Sequence, residues 1–127
     1  MLYITIMESK YNIAIVGSGL AGNIISLALA KAGYKIALID PKSFEEIQER
    51  SYDTRTTALS KKSKIFFERL NLWRAIRPFT CMIKNIMVND GDSGNNIYFK
   101  DLNNKTNEPL GFMIRNQDLF KILISAI

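Results

Sequence analysis

The first third of the chain alternates between strand-like and helix-like patterns of hydrophobic residues. An apolar run from Tyr11 to Val16 meets a glycine cluster, and helical spacing follows from Leu20 to Ala32. A second apolar run, Lys35 to Ile39, closes on Asp40. These patterns predict a strand, a tight turn, a helix and a parallel strand that is buried on both faces. The helix residues expected to face the sheet are Ile24, Leu27, Ala28 and Ala30.

The predicted turn carries three glycines at the spacing G-x-G-x-x-G, namely Gly17, Gly19 and Gly22. The first glycine allows a sharp turn with positive φ, the second lets a pyrophosphate approach the backbone, and the third lets the helix pack closely on the strand. The free N–H groups of the helix's first turn, at Leu20 and Ala21, would then face the phosphates. The context of strand, turn and helix therefore predicts a dinucleotide-binding site.

Asp40 completes this pattern, 18 residues after Gly22. A carboxylate at the end of the second strand is expected to accept hydrogen bonds from ribose hydroxyls. It would repel a 2′-phosphate, which disfavours NADP as the ligand of this turn. The alternative is a strand–helix–strand unit that packs and binds nothing.

The middle of the chain predicts mainly loop and helix. Residues 42–56 are polar and indicate a loop with one short helical turn. Loops of this length in a compact domain are often functional. From Thr57 a helix is expected to run to about Leu70, followed by a short helical piece from Asn71 to Ile76.

The last third of the chain returns to strand-like patterns. Two apolar runs, Ile83 to Val88 and Ile97 to Phe99, flank a segment that is dense in turn-forming residues, which predicts a β-hairpin. After a polar loop, Leu110 to Ile114 forms a third run. Asn116 is then expected to cap a final helix, Gln117 to Ile127.

Composition narrows the possible chemistry. The 127 residues suit one domain with a real core, and no apolar stretch approaches the ~20 residues that span a bilayer. The chain has no histidine, which removes imidazole catalysis and histidine-ligated zinc, so the chain must take its chemistry from a cofactor or carry out none. The net charge is +5, but the basic residues are spread along the chain and nucleic-acid binding is not expected. Cys81, the single cysteine, is expected to be a small buried residue.

The final helix carries its apolar stripe to the end of the sequence. Only two convincing parallel strands are present, whereas a doubly wound sheet needs more. We therefore expect the front piece of a longer protein. Residues 1–10 are interpreted as an N-terminal extension, with Met1 or Met7 as the start, and 11–127 as the N-terminal part of a truncated dinucleotide-binding domain. The stripe consists of Leu119, Ile122, Leu123 and Ala126.

Three sequence blocks, in this order, carry a family resemblance. The first spans 13–41 and contains the glycine turn and A-L-I-D-P. The second is D-x-R-x-x-A-L-S, beginning at Asp53 and ending at Ser60. The third is P-L-G-F-M-I-R-N-Q-D-L-F-K-I-L, residues 109–123. Together they resemble the flavin-dependent aromatic hydroxylases, specifically the polyprenyl-phenol hydroxylases of ubiquinone biosynthesis, over nearly the whole chain.

The resemblance implies an α/β fold: a Rossmann-like βαβ FAD-binding unit with a helical segment and a β-hairpin, incomplete relative to the family fold. It implies FAD on the glycine turn, Asp40 on the adenosine ribose, Arg55 toward the flavin and Arg115 near the flavin–pyrophosphate region. An arginine fork suits phosphate and flavin oxygens. The alternative for both arginines is a surface ion pair, Arg55 with Asp53 or Glu49 and Arg115 with Asp118.

The family reaction is hydroxylation of a polyprenylated phenol, with NAD(P)H as electron donor, and its chemistry belongs to the flavin. The resemblance implies a cytoplasmic protein that associates peripherally with the inner membrane or with other proteins of ubiquinone biosynthesis. No metal is expected, and the catalytic residues stay unassigned. Two further family motifs, an Asp-Gly and a Gly-Asp segment, have no counterpart in these residues. The alternatives are an NAD-dependent oxidoreductase domain, which leaves the D-x-R-x-x-A-L-S block unexplained, and a non-catalytic remnant.

Overall fold

The computed structural model describes residues 11–42, 46, 53–91, 94–100 and 108–127. The expected N-terminal extension, 1–10, and the choice between Met1 and Met7 lie outside the described residues. So do most of the predicted loop 42–56 and the polar segment before the third β-like run. The described part has mixed α/β structure, as the sequence predicted.

The glycine turn joins two parallel strands through a helix. Strand β1 spans Ile13–Val16, helix α1 spans Leu20–Lys31, and strand β2 spans Ile36–Ile39. The two strands pair in register from Ile13 opposite Ile36 to Val16 opposite Ile39. These elements follow the predicted boundaries closely because each is encoded by a local pattern.

Burial of this unit differs from the prediction. Val16 is 81% exposed and Ile39 is half exposed, so β1 and β2 are not buried on both faces among the described residues. Along α1 the most buried residues are polar, Asn23 and Ser26, while Ala30 is exposed. The two-stranded sheet is covered by α1, and its remaining surface has no further layer in the described part of the chain.

Residues Thr56–Ser60 form strand β3, not the first turn of a helix. The prediction of a helix from Thr57 is therefore wrong. Successive threonines suit a pleated strand, and β3 pairs antiparallel with a distant strand, Gly111–Arg115. Helix α2 spans Lys61–Arg69. It begins at Lys61 because the Ser60 hydroxyl accepts a hydrogen bond from Ser63 N at 3.1 Å and so caps the N-terminus of the helix.

A short helix and a strand follow α2. Helix α3, Trp73–Ile76, leads through a 3₁₀ turn, Arg77–Phe79, into strand β4, Thr80–Ile83. The sequence analysis predicted the short helix but missed β4. Cys81 lies on β4 and is exposed, so the expectation of a buried thiol is wrong.

The predicted β-hairpin is present as a separate two-stranded sheet. Strands β5, Asn85–Asn89, and β6, Asn96–Lys100, pair antiparallel with Val88 opposite Ile97. Strand β7, Gly111–Arg115, lies between β3 and β4 in a three-stranded antiparallel sheet.

Helix α4 spans Asn116–Ile124 and closes the core. Its N-cap is Arg115, and Asn116 stands at the first helical position, so the predicted cap by Asn116 is wrong. The core packs α4 and β7 against α2 and α3, and Trp73 meets Phe112 edge to face at 4.9 Å between ring centroids. The side of α1 that carries Leu20, Ile24 and Leu27 packs against the same core. None of the helices in the described part of the chain has both the length and the apolar content needed to cross a bilayer.

Candidate functional site

The three glycines of the turn have different structural roles. Gly17 adopts φ +100°, which favours glycine, and its N–H donates to Ile39 O at 2.7 Å. An ideal Cβ on Gly22 would lie 1.8 Å from Gly17 O, so only glycine lets α1 approach the turn this closely. A Cβ on Gly19 would meet no atom within 4 Å, so the chain is open at this point. Close packing and open space thus occur in one turn, as the spacing predicted.

Asp40 is held against the turn by Ser18. Both the backbone N–H and the hydroxyl of Ser18 donate to Asp40 Oδ2, at 2.8 and 2.9 Å. Lys42 N donates to Asp40 Oδ1 at 3.1 Å. The carboxylate predicted to bind ribose therefore lies beside the glycine turn and links the ends of β1 and β2.

Sequence reasoning missed Ser18 and Asn23. Ser18 is buried, and its carbonyl oxygen accepts a hydrogen bond from Asn23 Nδ2 at 2.9 Å. A signal was available in the sequence: Asn23 and Ser26 are polar residues three apart in a helix whose other residues, apart from Lys31 at its end, are apolar or small. Such a pair lies on one helix face and indicates either a polar contact or a buried hydrogen bond.

The first turn of α1 leads into a cavity of about 530 Å³. Leu20 and Ala21 line one side, and Thr57, Leu59 and Lys62 line the other. The first turn of α1 and strand β3, which belongs to the D-x-R-x-x-A-L-S block, therefore line a common space. This proximity depends on Thr56–Ser60 being a strand, and the predicted helix would not have indicated it.

Arg55 forms a two-point ion pair with Asp53. Arg55 Nε and Nη2 donate to the two carboxylate oxygens, each at 2.8 Å, and Arg55 N donates to Asp53 Oδ1 at 3.0 Å. The side-chain hydrogen bonds from Arg55 hold the pKa of Asp53 well below its usual range, although partial desolvation opposes them. The Asp53 carboxylate likewise raises the pKa of Arg55. The Arg55 side chain is 80% exposed, so other donors of the guanidinium stay within reach of a ligand.

Asn116 connects this ion pair to the core. Its amide donates to Asp53 Oδ2 at 3.2 Å, and its carbonyl oxygen accepts from Thr57 Oγ1 at 2.5 Å. Asn116 N also donates to Arg55 O at 2.9 Å. This buried asparagine therefore fixes the start of β3 against the start of α4, which is why its side chain does not cap the helix.

Arg115 lies at the same end of the antiparallel sheet as Arg55. It stands opposite Thr56 in the ladder between β3 and β7, and its Nε donates to Asp118 Oδ2 at 2.7 Å. Its side chain is 66% exposed. The structure thus places Asp40 beside the glycine turn, and it places Arg55 one residue before the position opposite Arg115 in the β3–β7 ladder. Both arginines also form the surface ion pairs that were the alternative interpretation.

The second and third sequence blocks pair as neighbouring strands, and they approach most closely at Gly111. An ideal Cβ on Gly111 would lie 2.7 Å from Leu59 O, so β7 can pair this closely with β3 only with glycine there. Leu59 itself is buried in the core, and Ser60 caps α2. The D-x-R-x-x-A-L-S block therefore has structural roles at Asp53, Leu59 and Ser60 in addition to any ligand contact.

Comparison with solved structures identifies the class of fold. The chain is similar to p-nitrophenol 4-monooxygenase PnpA from Pseudomonas putida, with a TM-score of 0.69 and 19% identity, over 90% of this chain and 28% of that one. It is also similar to the peptidyl tryptophan dihydroxylase QhpG, with a TM-score of 0.57 and 16% identity, over 91% and 22%. At these identities the likeness concerns the fold alone, which this chain shares with part of each of these two enzymes.

Sequence comparison points to a particular group of hydroxylases. The chain is 26% identical to ubiquinone hydroxylase UbiL of Rhodospirillum rubrum, over 91% of this chain and 27% of the relative. It is 30% identical to ubiquinone hydroxylase UbiM of Neisseria meningitidis, over 89% and 25%. A 3-demethoxyubiquinol 3-hydroxylase of Escherichia coli is 32% identical over 54% of this chain and 18% of the relative. No family profile matches the chain.

These relatives confirm the resemblance predicted from the three sequence blocks. The chain is similar to the N-terminal part of ubiquinone hydroxylases, and its relatives are oxidoreductases. It spans about a quarter of the length of the two relatives that it matches along most of its sequence.

Proposed function

We propose that this chain is the FAD-binding portion of a flavin-dependent monooxygenase that hydroxylates a polyprenylated phenol in ubiquinone biosynthesis. The observation that carries the proposal is the glycine turn. Gly22 packs against Gly17 without room for a methyl group, while the space in front of Gly19 is open. The strand–helix–strand unit is Rossmann-like in this proposal, and it is incomplete relative to the fold of the whole enzyme.

The residues of the turn fit the diphosphate of FAD. The N–H groups of Leu20 and Ala21, in the first turn of α1, have no partner within the helix. Together with the positive end of the helix dipole, they favour a phosphate group in front of Gly19. Asp40 would accept hydrogen bonds from the adenosine ribose, and its fixed position beside Ser18 supports that role.

Arg55 would lie toward the flavin of the cofactor, and Arg115 would lie near its flavin–pyrophosphate region. Both guanidinium groups are largely exposed, and they lie at one end of the β3–β7 ladder. Asp53 holds Arg55 by two hydrogen bonds and limits its orientation. When bound, FAD supplies the oxygen chemistry, while these residues bind it, orient it and help to exclude water. We assign no catalytic residue in this chain.

The first test is a titration of the purified chain with FAD, with NAD as the comparison ligand. Flavin fluorescence reports binding, and the buried Trp73 reports folding. We expect saturable FAD binding, weaker NAD binding, and a loss of FAD affinity in Gly19→Val, because the added side chain enters the space reserved for phosphate.

The other outcomes separate the alternatives. Tighter binding of NAD than of FAD would contradict the flavin assignment and indicate a dehydrogenase domain. Binding of neither ligand by a folded chain, with self-association in light scattering, would indicate a non-catalytic remnant. Activity on a polyprenylated phenol is tested on the full-length enzyme, with NAD(P)H as reductant.

A further inference from the structure

Asn23 is a fully buried polar residue on the inner face of α1. Its exposed fraction is 0%, and its Nδ2 donates to Ser18 O at 2.9 Å. Because a carbonyl oxygen only accepts, the amide nitrogen must be the atom that points toward Ser18. The other side-chain atom, Oδ1, has no hydrogen-bond partner in the described part of the chain. A buried carbonyl without a partner costs free energy, so stability alone does not account for asparagine here.

The hydrogen bond from Asn23 determines which way the next peptide faces. The Ser18–Gly19 peptide is trans, as are the other described peptides, so its C=O and N–H point in opposite directions. With Ser18 O held inward by Asn23, the Gly19 N–H is directed away from the buried side of the turn. The preceding peptide is fixed as well, because Ser18 N donates to Asp40 Oδ2. Both peptides that flank Ser18 therefore have a defined orientation.

We propose that Asn23 is a positioning residue of the nucleotide site, which aims the Gly19 N–H at the diphosphate of the bound dinucleotide. This inference rests on the proposed function. Asn23 itself is buried beneath the turn and acts only through the Ser18–Gly19 peptide. The diphosphate would lie in the open space in front of Gly19, where a Cβ would meet no atom within 4 Å.

Ser26 offers a matched control on the same helix face. It stands three residues after Asn23, is 5% exposed, and its hydroxyl has no hydrogen-bond partner among the described residues. Ser26→Ala therefore changes a buried, unpaired polar atom of α1 without changing a contact to the turn. A general effect of altering this helix face would show in both variants, whereas a positioning effect would show only in Asn23→Leu.

The experiment compares the unmodified chain, Asn23→Leu and Ser26→Ala. Binding of FAD and of ADP is measured by calorimetry, stability by thermal unfolding, and the Gly19 amide by ¹⁵N–¹H correlation spectra during ADP titration. We expect Asn23→Leu to lose about tenfold in affinity for both ligands, the scale of one misaligned hydrogen bond to a charged group. Its melting temperature should change little, since the loss of the Ser18 contact is offset by removal of the unpaired Oδ1. Ser26→Ala should bind as the unmodified chain does.

The spectra test the mechanism directly. In the unmodified chain, ADP should move the Gly19 amide proton downfield, and Asn23→Leu should reduce that shift. Unchanged affinity with an intact Gly19 shift in folded Asn23→Leu would overturn the inference and leave the proposed function standing. If Asn23→Leu does not fold, absence of a Gly19 shift in the unmodified chain on ADP binding overturns it equally. Absence of FAD and ADP binding in the unmodified chain would overturn both.

Discussion

Ser18 and Asp40, 22 residues apart, are joined by two hydrogen bonds to a single carboxylate oxygen. The Ser18 N–H and hydroxyl both donate to Asp40 Oδ2, while Lys42 N donates to Oδ1. The acid that the sequence predicted as a ribose acceptor is therefore also part of the structure that holds the glycine turn. Binding of the ribose and stability of the turn should respond together when either residue is changed.

Replacing this pair should reveal an energetic coupling. Ser18→Ala removes one donor and should cost about 1 kcal/mol of unfolding free energy. Asp40→Asn should lower the unfolding free energy by about 1–3 kcal/mol. The donors from Ser18 and Lys42 approach two different carboxylate oxygens, whereas an amide has only one acceptor oxygen. In a double-mutant cycle measured by urea unfolding, we expect a coupling of about 1 kcal/mol. Ser125→Ala, which removes a hydroxyl bonded to Ile122 O at the end of α4, is the control. Strict additivity of Ser18→Ala and Asp40→Asn would contradict the coupling.

Substitutions at two glycines of the same turn should have different effects on stability and on FAD binding. Gly22→Ala places a methyl group 1.8 Å from Gly17 O, which is backbone and cannot move aside cheaply, so we expect a loss of about 2–3 kcal/mol in unfolding free energy. Gly19→Ala meets no atom within 4 Å and has φ −75°, so its stability should change by no more than about 1 kcal/mol. FAD affinity should fall in Gly19→Ala despite its stability. Equal stability of the two variants would show that the close approach of α1 is not required.

The ion pair between Asp53 and Arg55 should make stability depend on pH. The guanidinium of Arg55 lowers the pKa of Asp53 in the folded state, so the folded carboxyl binds a proton less readily than the unfolded one. The stabilisation is therefore present above the unfolded pKa of about 3.9 and is lost as pH falls below it. We expect the unmodified chain to exceed Asp53→Asn in melting temperature at neutral pH, with the difference narrowing below about pH 4.

A weak surface pair provides the control for this prediction. Glu108→Gln removes the exposed contact between Glu108 and Lys61, which should change unfolding free energy by less than about 1 kcal/mol. If the difference in melting temperature between the unmodified chain and Asp53→Asn stays constant from neutral to acid pH, the proposed lowering of the Asp53 pKa in the folded state is contradicted.

The elements predicted correctly are those encoded by neighbouring residues. The glycine turn, α1 and the β5–β6 hairpin each follow from a pattern contained within one short segment. Strand β3 was missed because its identity depends on pairing with a distant partner, Thr57 opposite Ile114. The helix-like spacing that starts at Lys61 hid the boundary at Ser60, although Ser60 is a good N-cap residue.

The candidate site shows the same limit. The placement of Gly22 against the turn and of Asp40 beside it follows from the spacing of a motif, whereas Asn116 was assigned to a cap on local grounds alone. Its side chain instead contacts Asp53 and Thr57, about sixty residues earlier in the sequence. A contact of that separation leaves no periodic signal in a single sequence. Cys81 was misjudged for a related reason, because its exposure depends on which side of β4 remains uncovered.

The proposed roles of Arg55 and Arg115 predict different losses of affinity. Arg55→Gln should weaken FAD binding about tenfold while leaving ADP binding nearly unchanged, because ADP lacks the flavin that this guanidinium group would contact. Arg115→Gln should weaken the binding of both ligands, because ADP retains the diphosphate near which Arg115 would lie. Calorimetry with both ligands yields the ratio of dissociation constants for each variant. Arg74→Gln, an exposed arginine on the short helix α3, controls for the loss of a positive charge. Equal weakening of FAD and ADP by Arg55→Gln would contradict its placement on the flavin side, and weakening of neither ligand by either variant would mean that the two arginines act only in their surface ion pairs with Asp53 and Asp118.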